Sequence, residues 1–166
     1  MTRTVIQKLL YLATLKGLTW ASYDAHYYGP YSPEVASTLE DLASAGFLRE
    51  RTRVLDPAGD PWEVRKYEYS MPKEIGSMIE DRLTKKERAE AGELQRIIEL
   101  CEKRNSLNPK ALAAATKVLY ILYEQDRELT YGEIADQARK LGWKIGDEEI
   151  QNSVVGLLAD LSLATP

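Results

Sequence analysis

Cysteine and histidine are almost absent: Cys101 and His26 are each the only residue of their kind in 166. A lone cysteine excludes an intrachain disulfide and, within one chain, a thiolate metal cluster. There is no metal-ligand spacing, no phosphate-cradling glycine loop and no His-supported nucleophile, so no catalytic residue, metal or cofactor is assigned. Long apolar runs are also lacking. The stretch around Val154 to Leu158 falls far short of the roughly 18 to 20 apolar residues that span a bilayer. With no apolar signal core after Met1-Thr2-Arg3-Thr4, the expected location is the cytoplasm, with no membrane partner. Nor is there an excess of positive charge. Twenty-two Lys and Arg against 26 Asp and Glu leave a formal charge of −4, which disfavours nucleic-acid binding by bulk electrostatics and leaves only a local basic patch.

What is present is the composition of a soluble globular chain, 44% hydrophobic and 29% charged, enough for one ordinary domain or two small ones. Cys101 falls on an apolar helical stripe with Leu94, Ile97 and Ile98 and reads as an inert packed thiol. His26, set among tyrosines, reads as a buried, hydrogen-bonded core or interface group.

Taken in order, Thr4 to Lys16 places Val5, Leu9, Leu12 and Ala13 at helical spacing, and Gly17 stops the helix. Leu18-Thr19-Trp20 is a connector, and Ser22 to Tyr28 is expected to be a second, short helix. Gly29-Pro30 then breaks the chain. Ser32 caps the next helix, Pro33 takes its first position and Glu34 complements the dipole. Val35, Leu39, Leu42 and Ala43 form its apolar stripe, whereas Glu34, Glu40 and Asp41 lie outward. Two segments rich in β-branched and aromatic residues, 48–55 and 62–69, flank the turn sequence Asp56-Pro57-Ala58-Gly59-Asp60-Pro61 and predict a β-hairpin. Alternation puts Arg49, Arg51 and Arg53 on one face, with Arg65 and Lys66 entering from the second strand. Three helices followed by a hairpin is the order of a winged helix.

Residues 73–105 are helical in composition, and a Thr84/Glu87 capping box divides them into two helices. From Asn108-Pro109 the chain repeats itself. Lys117-Val118-Leu119-Tyr120-Ile121 echoes Lys8-Leu9-Leu10-Tyr11-Leu12, Leu129-Thr130-Tyr131 echoes Leu18-Thr19-Trp20, and Asp147-Glu148-Glu149-Ile150 echoes Ser32-Pro33-Glu34-Val35, at offsets of 109, 111 and 115. The second copy predicts helices at 109–126, 131–141 and 147–160, and Leu161-Ser162-Leu163-Ala164 as the start of a second wing that is short or absent. The expected fold is mainly α with a β-hairpin: tandem winged-helix-like modules at 1–72 and 107–166, joined by a helical segment at 73–106.

Gln7-Lys8-Leu9-Leu10-Tyr11, then Tyr28-Gly29-Pro30-Tyr31-Ser32-Pro33 and the Val35, Leu39, Leu42 stripe, resemble the winged-helix proteins related to the Panacea-type antitoxin domain, over the first 70 residues. That resemblance implies a small prokaryotic regulator, in some cases an antitoxin that neutralises a partner toxin. Two expectations follow for a non-catalytic protein. One is DNA binding through the basic wing, Arg49, Arg51, Arg53, Arg65 and Lys66, with a homodimer doubling the surface. The other is a protein-binding module using Tyr27, Tyr28 and Tyr31 with the acidic Glu34, Glu40 and Asp41. The third helices, 33–46 and 147–160, carry no lysine or arginine and would repel phosphates.

Overall fold

The computed structural model describes residues 1–18, 21–55, 64–104, 107–125 and 127–164. The protein is mainly α-helical with an antiparallel β-hairpin, and it carries a second, shorter hairpin where a helix is expected. In chain order the elements are α1 (Arg3–Leu15), β1 (Asp24–His26), β2 (Gly29–Tyr31), α2 (Pro33–Ser44), β3 (Arg49–Leu55) and β4 (Val64–Ser70). They continue as α3 (Lys73–Arg82), α4 (Lys85–Lys103), α5 (Pro109–Gln125), α6 (Tyr131–Lys140) and α7 (Asp147–Ser153), which runs into a π-helical turn, Val154–Leu158. No helix among the described residues is long and apolar enough to cross a membrane.

Local chemistry sets most boundaries. Thr2 caps α1, accepting from Val5 N at 3.3 Å, and Ser32 caps α2 in the same way at 3.3 Å. Thr84 and Glu87 form the expected capping box on α4, and Thr130 and Glu133 form another on α6. The helix expected at 147–160 is kinked at Gly156, whose φ of −91° and ψ of −105° leave the helical region. Residues 161–163 form a turn instead of starting a strand.

The helix expected at 22–28 does not form. Asp24–His26 pairs antiparallel with Gly29–Tyr31, and the chain reverses through Tyr27-Tyr28. The sequence lacks a device that would hold a helix there. On α6 the N-cap Thr130 is answered three residues on by Glu133, whereas the residue three after Thr19 is Ser22. Gly29 takes a φ of +96°, which an L side chain rarely adopts. Pro30 is harmless in a two-stranded sheet, where its missing N–H can face away from the partner. The order is therefore helix, hairpin, helix, hairpin, without the middle helix of the expected three. Thr19 and Trp20 of the connector, and the expected turn at 56–61 with Trp62, lie outside the described residues.

Helix α1 is the central wall. Its Val5, Leu9, Leu12 and Ala13 enter a large core with Ile97 and Cys101 of α4, Leu112, Val118 and Leu119 of α5, Ile134 of α6, Ile150 of α7 and Leu158. Its Ile6 and Leu10 pack on the other side against Val35, Leu39 and Tyr69. One core thus runs through all three segments expected from the sequence. Cys101 is fully buried, and that burial pushes its thiol up to about 11. Leu42, expected inside, is 37% exposed at the rim of α2. The last segment is fastened by a two-pronged ion pair from Arg104 to Asp160, 2.7 and 2.8 Å, and by Lys16 Nζ donating to Leu161 O at 2.7 Å.

Candidate functional site

The Tyr-Gly-Pro-Tyr-Ser turn is held from three directions. Buried Gln7 on α1 donates through Nε2 to Ser32 O at 2.8 Å and accepts from Ser32 N at 3.0 Å through Oε1. One turn face of α1 also supplies Lys8, whose Nζ donates to Pro30 O at 2.5 Å. From the far end of the chain, the indole Nε1 of Trp143 donates to His26 O at 2.7 Å. These bonds satisfy backbone groups that a three-residue strand leaves over. They also give a physical reason why a Gln-Lys pair and a Tyr-Gly-Pro turn go together.

Lys8 is 2% exposed and has no carboxylate partner among the described residues. Burial, and secondarily the charge of Lys117 on α5, bring its ammonium down to about 7. Lys117 itself is lowered by burial, against the pull of Glu149, and lies 5.5 Å from the Trp143 ring centre. Between the two lysines sits Gly29. A Cβ there would stand 3.0 Å from Lys117 Cγ and 3.4 Å from Lys8 Nζ. Glycine is required at this position for space as well as for φ.

A cleft of about 330 Å³ opens beside this turn, between the start of α1, the β1–β2 hairpin and β4. Its lining includes Arg3, Lys8, His26, Tyr28, Arg65 and Lys66, and no carboxylate among the described residues. A second cleft of about 440 Å³ lies beyond Tyr28 and Thr4, toward α5, Gly142 and Ile145.

The predicted residues separate into different surfaces. Tyr27 and Tyr28 are 72% and 55% exposed at the hairpin turn, their rings edge to face with centres 4.8 Å apart. Tyr31 is half-buried and packs on His26 at 5.2 Å. His26 itself is exposed, not buried as expected, because a short strand at the surface carries it. Glu40 is paired with Arg3 at 3.0 Å, and Glu34 accepts from Ser22 N at 3.4 Å. Asp41 is exposed.

On the wing, register places Arg49 opposite Ser70, Arg51 opposite Glu68 and Arg53 opposite Lys66. Directly opposed residues share a face, so Arg49, Arg51, Arg53 and Lys66 lie together. Arg65 pairs with Val54 and belongs to the other face, with Tyr67, Tyr69, Thr52 and Glu50. The period-two rule required this split, since Arg65 and Lys66 are adjacent. That other face is anchored. Tyr69 is buried against Val35 and Leu39, and Arg3 lies 4.0 Å above the Tyr67 ring while bonding Tyr69 Oη, Glu50 and Glu40. On the arginine face, Glu68 meets Lys66 at 2.9 Å and Arg53 at 3.7 Å.

The roles of Gln7, Lys8, Lys117 and Trp143 at the turn are not among those expected from the sequence. A signal existed: Lys8 stands three after Val5 and four before Leu12, on the inward stripe where a charge is out of place.

No protein-family model matches the chain. Among curated proteins it is similar to an uncharacterized protein, YwgA, of Bacillus subtilis (strain 168), at 36% identity over 80 residues, which cover 48% of this chain and 44% of that protein.

Proposed function

We propose that the chain is a non-catalytic regulator of winged-helix type that docks on DNA through the arginine face of β3–β4. The observation that carries this is the ladder register. It collects Arg49, Arg51, Arg53 and Lys66 on the outward side of a hairpin whose inward side is fixed to α1 and α2. Arg49 and Arg51 make no ion pair among the described residues, so their charge is available to phosphates. A two-stranded ribbon fits the major groove, and arginines on it neutralise backbone charge.

Helix α2 has no cation and keeps Glu34, Glu40 and Asp41 outward, so it is not the reading element. Docking by the wing alone is mainly contact with phosphate, which positions the protein and discriminates sequence weakly. With Glu68 offsetting one of the four cations, about three phosphates are neutralised, and log K falls with log salt at a slope of about −3. Titration of random-sequence duplex at low and moderate salt tests this. No binding at low salt rejects the reading; Arg51→Ala with Arg53→Ala should weaken binding and flatten the slope.

A second reading rests on the exposed Tyr27-Tyr28 pair. Two large aromatics on a turn held by Gln7, Lys8 and Trp143 are a preorganised contact for a protein partner. Tyr27→Ala should abolish capture of such a partner with no change in thermal stability. Retained capture in the folded variant rejects it.

A further inference from the structure

We propose that the cleft between α1, the β1–β2 hairpin and β4 binds the phosphoryl group of a small molecule, with Lys8 at its floor. The inference goes beyond DNA docking and does not rest on it, because Arg49 and Arg51 lie outside the cleft. Three observations converge on it. The lining combines cations from separate elements, Arg3 and Lys8 of α1 with Arg65 of β4, and contains no carboxylate among the described residues. The Lys8 ammonium has one acceptor, Pro30 O, so two of its three N–H groups have none among the described residues. A buried cation without a counter-ion is unfavourable, and an anion beside it removes that penalty. Finally, Gly29 lets Lys8 Nζ approach the hairpin backbone, and Lys117, which lines the neighbouring cleft, adds its charge to that of Lys8.

The dimensions select a small ligand. About 330 Å³ is at the lower end of the roughly 300 to 1,000 Å³ of small-molecule sites, enough for a phosphate and one ring. The ring would lie against Tyr28 or His26, which form part of the wall, and Thr4 adds a hydroxyl on the α1 side. Arg3 is already committed to Glu40 and Glu50, and Lys66 to Glu68, so Lys8 has the most to gain from the ligand. Near neutral pH, binding draws a proton onto Lys8. The titratable and charged groups that line the cleft with Lys8 from other elements are His26, Tyr28, Tyr31, Arg65 and Tyr67, and Lys117 acts on it from α5.

Calorimetric titration of the full chain with sulfate, inorganic phosphate and phenyl phosphate tests the proposal. Sulfate holds its charge over this pH range, so proton uptake measured with it in buffers of different ionisation enthalpy reports the protein. A His26→Gln background removes the imidazole's contribution. Expected are saturable binding, uptake of up to one proton at pH 8 that vanishes by pH 6, and at least about tenfold weaker binding in Lys8→Met. Tighter phenyl phosphate than inorganic phosphate assigns a phosphate monoester; equal affinities assign the free anion. If Lys8→Met fails to fold, the proton count in the His26→Gln protein decides. No binding by any of the three anions, or binding without proton uptake at pH 8, overturns the proposal.

Discussion

Tyr11 and Tyr120, 109 residues from one another in the sequence, meet with ring centres 6.5 Å apart. Lys8 and Lys117, at the same offset, are also neighbours across the junction of α1 and α5. The packing of α1 on α5 is part of the shared core. Leu12, fully buried on its α1 side, is a direct probe. Leu12→Ala should lose about 2 to 5 kcal/mol in urea unfolding, with loss in a single transition because the core is shared.

Gln7 replaces a strand partner for Ser32. Gln7→Leu, of similar bulk, leaves the buried Ser32 N–H without its partner, while Ser32 O keeps the bond from Ala36 N at 3.2 Å. A loss of roughly 1 to 3 kcal/mol is expected. Chemical denaturation of the variant checks it, and a loss under about 0.5 kcal/mol would mean that water replaces the amide.

Gly29 and Gly46 separate two costs that are usually mixed. Both have positive φ, +96° and +80°, but a Cβ meets nothing within 4 Å at Gly46 and meets Lys117 Cγ at 3.0 Å at Gly29. Gly46→Ala should cost only the backbone term, about 1 to 2 kcal/mol. Gly29→Ala should exceed it by at least about 1 kcal/mol, read from paired melts.

Lys8 makes stability depend on pH with a definite sign. Its folded value, about 7, lies below the unfolded value of 10.5, so between them the unfolded chain binds more protons and stability rises with pH. Below 7 both states are charged and the burial penalty is constant. Measured between pH 6 and 10, wild type should gain on Lys8→Met as pH rises through this window. A parallel pair of curves would place the ammonium in water.

Much of the fold follows from local signals. The capping boxes at Thr84 and Thr130, the Ser32-Pro33 start and the arginine alternation are written within a few residues of where they act. The β1–β2 hairpin is not, because its stabilising partners Gln7, Lys8 and Trp143 stand 25, 22 and 117 residues away from the groups they bind. The burial of Lys8 is hidden in the sequence for a related reason. A lysine in an amphipathic helix is ordinarily a surface charge, and only the folded hairpin covers it.

Helix α3 buries none of its residues, although Ile75, Met78 and Ile79 share a side of it. A segment without buried side chains opens at little expense to the rest, so its amides should exchange with deuterium well before those of α5. A protease would cut there before it cuts α5. The two pieces would nevertheless stay together, because α1 remains embedded against α4 and α5 and the cut ends lie outside that core. The protein is thus built for fragment complementation: 1–72 and the remainder, mixed as separate chains, should reassemble through α1.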